Sequence, residues 1–78
     1  MKSAKEMFEK LGYEQKIGID FILYVLDSEE TKDLQYYIEF QTDVKTIIID
    51  TNRKDFINDI TIKEFQAINK QVEELGWK

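Results

Sequence analysis

The alternation of apolar and polar positions changes period twice along the chain. Residues 3–11 place Ala4, Met7, Phe8 and Leu11 at i, i+3, i+4 and i+7, which is one face of a helix. Ser3 stands three places before Glu6, the spacing of a capping box, and Gly12 followed by Tyr13 marks the stop. The same marks recur near the other end. Thr61 precedes Glu64 by three, and Leu75-Gly76-Trp77 closes the segment, predicting a second helix from Ile62 to about Leu75. Its expected buried stripe is Phe65, Ile68, Val72 and Leu75, with Ile62 and Ala67 at the margins and Ile60 stapled to Phe65 around the cap.

Between the helices the period falls to two. Residues 17–26 read as one strand whose uniformly apolar set, Ile17, Ile19, Phe21, Leu23 and Val25, is expected to face the helices. The opposite set, Gly18, Asp20, Ile22, Tyr24 and Leu26, is mixed and is expected to face away. After the polar connection 27–33, Leu34, Tyr36, Ile38 and Phe40 alternate with Gln35, Tyr37, Glu39 and Gln41, a strand buried on one side. A tight connection at 42–45 leads to a strand at 46–50, in which Ile47, Ile48 and Ile49 necessarily occupy both faces. Asn52, Asn58 and Asp59 are turn formers, and Phe56, Ile57 and Ile60 are expected to anchor the 51–60 segment. The predicted fold is α+β: α-β-β-β-α, a three-stranded antiparallel meander with both terminal helices on one face, in a single domain spanning 1–78.

Composition narrows what such a domain can do. Its 78 residues contain no Cys and no His, which excludes disulfides, thiolate or imidazole metal sites and the usual neutral-pH base. No catalytic residue, cofactor motif or small-molecule site is expected: Ser3 serves a cap, Ser28 sits in an acidic loop, and Gly12, Gly18 and Gly76 form no phosphate loop. Asp20 and Glu39 could pair as carboxylates for acid–base work, but a solvated outer face is much the better account of them. Asp27, Glu29, Glu30 and Asp33 lack the spacing and central glycine of a calcium loop, so no metal is expected; a charged connection that keeps strands from pairing explains them. The formal net charge of −5 opposes direct nucleic-acid or anionic-membrane binding, despite the basic cluster Lys45, Arg53 and Lys54. No apolar run reaches bilayer-spanning length, and Glu6 and Glu9 interrupt the place where a signal peptide needs apolar residues, so a cytoplasmic location is expected.

Three segments carry a family likeness. Ala4-x-Glu-Met-Phe-Glu-Lys-Leu-Gly-Tyr-Glu14, Tyr37-Ile-Glu-Phe40 and Ile60-Thr-x-x-Glu-x-Gln-Ala-Ile-Asn-Lys-Gln-Val-Glu-Glu-Leu-Gly-Trp77 resemble a group of small proteins encoded in phages and prophages of Gram-positive bacteria. The likeness runs the length of the chain and is most specific at its end. It implies a bacterial host cytoplasm and a small accessory gene, and carries over no catalytic or binding residues.

The remaining feature is the reverse of the sheet. With both helices on one side, Ile22, Tyr24, Leu26 and Tyr37 are expected to stand on the other, rimmed by Glu29 and Glu30 of the acidic loop. Either the 51–60 segment folds over that face, or the face or an open strand edge binds a second copy or a protein partner. The expected function is therefore protein–protein contact. The alternative is an acidic decoy whose carboxylates stand in for nucleic-acid phosphates on a host enzyme.

Overall fold

The computed structural model describes residues 2–53 and 59–77. The element order is α1 (Ala4–Lys10), β1 (Glu14–Ile17), β2 (Phe21–Asp27), β3 (Gln35–Gln41), β4 (Thr46–Thr51) and α2 (Ile62–Leu75). The α+β class, the antiparallel meander and the two helices on one face agree with the sequence reading. The strand count does not: the sheet has four strands in the order β1-β2-β3-β4. The segment 17–26 is not one strand but the end of one arm, the turn and the second arm of a hairpin. Gly18 explains the break. Its N–H donates to the Phe21 carbonyl at 3.0 Å, closing the turn, and the Phe21 ring occupies the space that a Cβ at position 18 would need. Ile19 is left 97% exposed at the tip.

Both helices begin and end as the sequence indicates. Ser3 and Thr61 each cap through a complete capping box with Glu6 and Glu64. Gly12 and Gly76 take φ of +99° and +71°, a region closed to most side chains. The chain then folds back in each case: the Tyr13 N–H reaches the Phe8 carbonyl at 3.0 Å and the Trp77 N–H reaches that of Val72 at 3.1 Å.

The core lies between the helix pair and one sheet face. Phe8 of α1 stacks on Tyr24 with ring centroids 3.8 Å apart, and Phe40 meets both edge-on. Ile38, Ala67 and Ile68 complete the cluster, and Ile22, Leu26, Ile49, Ile60, Val72 and Trp77 pack around it. The pairing Tyr24↔Ile38 and Ile38↔Ile49 runs this set straight across three strands. The face assignment of β2 is thus the reverse of the expected one. Tyr24 is fully buried and Ile22 and Leu26 pack inward with it, while Phe21, Leu23 and Val25 face away.

The reason is polar. A buried tyrosine hydroxyl needs partners. Tyr24 donates to Gln71 Oε1 at 2.5 Å and accepts from Gln15 Nε2 at 3.0 Å. Tyr13, also buried, donates to the Glu64 carboxylate. Ile68, Val72 and Leu75 of the expected stripe meet the core, but to supply Glu64 and Gln71 α2 is turned so that Ala67 and Gln71 are buried and Phe65 is 56% exposed. The Phe65 staple is replaced by packing of Ile60 on the core. The Ala4 N–H, an orphan donor at the start of α1, is taken by Glu74 Oε2 at 2.8 Å, so the helices are tied at both ends and run antiparallel.

Burial, and next the Glu64 carboxylate, push the Tyr13 hydroxyl far above the ordinary tyrosine range. Burial also raises that of Tyr24, partly offset by the Gln15 amide, with Glu74 and Glu9 adding to the rise. In both cases the folded state holds a proton that the unfolded chain releases near pH ~10. Stability is therefore complete below that pH and falls as pH rises beyond it. Alkaline titration followed by circular dichroism should show this fall, and Tyr13→Phe should make it shallower. In urea denaturation, Gln71→Leu should cost about 1–3 kcal/mol by stranding the Tyr24 hydroxyl, and adding Tyr24→Phe should recover part of that loss.

Candidate functional site

Register places the side chains of the other sheet face in rows. One row is Lys16, Leu23, Glu39 and Ile48; the next is Glu14, Val25, Tyr37 and Asp50; Phe21, Gln41 and Thr46 flank the first, and Asp27 and Gln35 the second. Neither helix lies on this face. Phe21, Leu23, Val25 and Tyr37 are half-buried, and Ile48 is 41% exposed. Polar chains border the apolar strip. The Tyr37 hydroxyl donates to Gln35 Oε1 at 2.9 Å, whose amide donates to Asp27 Oδ1 at 2.7 Å. Thr46 Oγ1 donates to Gln41 Oε1 at 2.8 Å, and the Gln41 amide donates to Glu39 at 3.2 Å. Such pairing holds the border side chains in place, so the apolar strip keeps a defined outline. Glu14, Asp27 and Asp50 edge the strip and Glu39 stands within it between Leu23 and Ile48, against one lysine, Lys16, among the described residues of this face.

The strip is continuous with a groove of 550 Å³ at one end of the sheet. β2 extends past the start of β1, since Glu14 pairs with Val25 and leaves Leu26 and Asp27 without a β1 partner. The groove fills that overhang. Leu11, Val25, Leu26 and Tyr36 line it, and Glu14, Asp27, Glu29 and Glu30 surround them. Of the six residues expected to form one contact surface, the structure gathers Leu26, Glu29 and Glu30 here. Tyr37 lies on the open face, as expected. Tyr24 and Ile22 do not join them: burial of Tyr24 between Phe8 and Gln71 removes it from any contact surface, and Ile22, on the same side, packs against the core. Of the anchors expected for the 51–60 segment, Ile60 packs against the core, while Phe56 and Ile57 lie outside the described residues, as does Lys54.

The sequence reading missed Phe21, Leu23 and Val25 as surface residues. Gly18-Ile-Asp20 was the signal available, because a glycine interrupting a strand pattern marks a turn and resets which side chains face inward. Ile48 was readable only as one of two faces.

Asp20 and Glu39 are not brought together as an acid–base pair: Asp20 is in the hairpin turn and Glu39 is in mid-strand, opposite Leu23 and Ile48. Among the described residues, no group of three or more acidic side chains is placed to hold a metal ion, and no helix is long and apolar enough to cross a membrane. Compared with family models, curated proteins and solved structures, the chain matches none.

The two faces predict opposite costs for equivalent substitutions. Leu23→Ser, on the open face, should change unfolding free energy by about 1 kcal/mol or less. Tyr24→Ser should cost about 3–5 kcal/mol, because it empties the stacked core position and strands Gln71. Thermal or urea denaturation of the two variants checks the assignment directly.

Proposed function

We propose that this chain is a non-catalytic protein-contact module of a phage or prophage, working in the cytoplasm of the bacterial host and binding a basic protein partner. The observation that carries this reading is the helix-free sheet face, with Phe21, Leu23, Val25, Tyr37 and Ile48 grouped around Glu39 and edged by Glu14, Asp27 and Asp50. An apolar strip of this kind, rimmed by polar groups, is the usual anatomy of a contact surface. The four carboxylates of this face, three at its edge and Glu39 within it, and the acidic groove beside them select for cationic side chains among apolar ones. The phage setting is supported by the resemblance in segments 4–14, 37–40 and 60–77. The non-catalytic reading is supported by a sequence without His or Cys and by glycines committed to turns and helix ends.

The same carboxylates favour a second reading, in which the partner is a nucleic-acid enzyme of the host and the acidic border takes the place of phosphates. The two readings differ in what holds the complex together. Affinity capture from host lysate, repeated at rising salt, separates them. Apolar contact predicts a partner retained at high salt and released by Leu23→Asp with Val25→Asp. A phosphate-mimicking decoy predicts release by salt and by Glu14→Gln with Glu39→Gln. Capture that is indifferent to both double variants would remove this face from the function.

A further inference from the structure

We infer that the outer edge of β4 pairs with the β4 of a second copy, in one register, to form a continuous eight-stranded sheet. The inference rests on the backbone of the strand edge; it shares Ile48 with the partner face proposed above, and its tests read self-association alone.

The two edges of the sheet are unlike. β1 is four residues long, carries Glu14 and Lys16, and has α1 packed beside it, the usual guards against strand addition. β4 is Thr46-Ile-Ile-Ile-Asp-Thr51, with no lysine, no proline and no bulge. Ile47 and Ile48 are 38% and 41% exposed, so the helix layer does not overhang this edge.

Backbone hydrogen bonding fixes which residues can pair. The Asn52 N–H donates to the Gln35 carbonyl at 3.1 Å, continuing the register Tyr36↔Thr51. In an antiparallel ladder, residues alternate between facing the partner strand and facing out. Thr46, Ile48 and Asp50 therefore bond to β3, and Ile47, Ile49 and Thr51 present their amides outward. The Thr51 N–H is already taken by Asp50 Oδ1 at 2.7 Å. That leaves Ile47 and Ile49. A two-fold axis at Ile48 sets Ile47 of one copy opposite Ile49 of the other, so that each pair exchanges both of its hydrogen bonds. Ile48 then meets its own copy across the axis on the open face, and Ile47 and Ile49 meet on the helix face. Thr46 falls opposite Asp50 of the second copy, and Lys45, in the turn at φ +56°, stands outside the paired stretch. A shift by one residue would oppose an outward amide to an inward one. A shift by two toward the strand's end would require the Thr51 amide, and a shift by two toward its start would pair Ile49 with Lys45, which lies outside the strand in the left-handed region at φ +56°. The self-complementary register is the one that the edge permits.

Sedimentation equilibrium over a hundredfold concentration range should show a monomer–dimer equilibrium, and a species that remains monomeric throughout overturns the inference. Ile47→Pro removes an amide that the monomer does not use and should weaken association by about tenfold or more, with circular dichroism unchanged. The chain has no cysteine of its own, so single cysteines report register directly. Ile48→Cys should form disulfide-linked dimers under a glutathione buffer, because facing residues of a non-hydrogen-bonded pair lie within bridging distance. Ile49→Cys should not, and Val44→Cys at the hairpin tip, 59% exposed, sets the collisional background. Linkage through Ile49→Cys in place of Ile48→Cys, or Ile48→Cys linkage at the Val44→Cys level, overturns the register. Growth beyond a dimer indicates pairing of β4 with β1 and also overturns it.

Discussion

One buried hydroxyl organises this domain. Tyr24 sits stacked against Phe8 with its oxygen between Gln15 and Gln71. A phenol at such depth is tolerated only if its polar end is answered. The answer fixes three things together. It chooses the face of β2 that meets the helices, requires β1 to come alongside so that Gln15 can reach, and sets the rotation of α2 so that Gln71 points inward. The helix-free face and its residues follow from that choice, since a strand that turns Tyr24 inward must turn Leu23 and Val25 outward.

What the sequence revealed and what it concealed divide along the same line. Local chemistry was readable. Ser3 with Glu6, Thr61 with Glu64, Gly12 and Gly76 are each explained within one turn of chain, and all are found where expected. The alternation of Leu34, Ile38 and Phe40 was readable too, since only one of its faces is apolar. β2 was misread because both of its alternating sets contain large apolar groups, and the cleaner set, with Phe21, Leu23 and Val25, is the outer one. Hydrophobicity alone ranks that set first. The deciding fact lies 47 positions away, in the glutamine of α2 that bonds Tyr24. Phe65 was misread for the same reason: a helix is rotated by what its polar residues must reach as well as by its greasy stripe. The candidate surface was legible as a kind of surface and not as a set of residues.

The sheet carries its apolar groups unevenly between two solvents. On the helix side they are aromatic, interlocked and dry. On the other side they are mostly aliphatic, half-exposed and interleaved with Glu39, Gln41, Gln35 and Asp27, whose hydrogen bonds to one another or to Tyr37 and Thr46 keep them upright. Such a border resists collapse of the strip onto itself and limits indiscriminate sticking. The acidic groove at the β2 overhang extends that surface around the sheet end, so that a partner reaching both would be held across a bend and not on a plane.

The clasp between Ala4 and Glu74 has a further consequence. Because the outermost turns of the two helices touch, the domain enters and leaves at neighbouring points. A unit with adjoining ends can be spliced into an exposed turn of a larger chain without stretching its host, or be re-cut at the 28–34 loop with its old ends fused. Its architecture is in this sense a closed loop, portable between genes as a single insert.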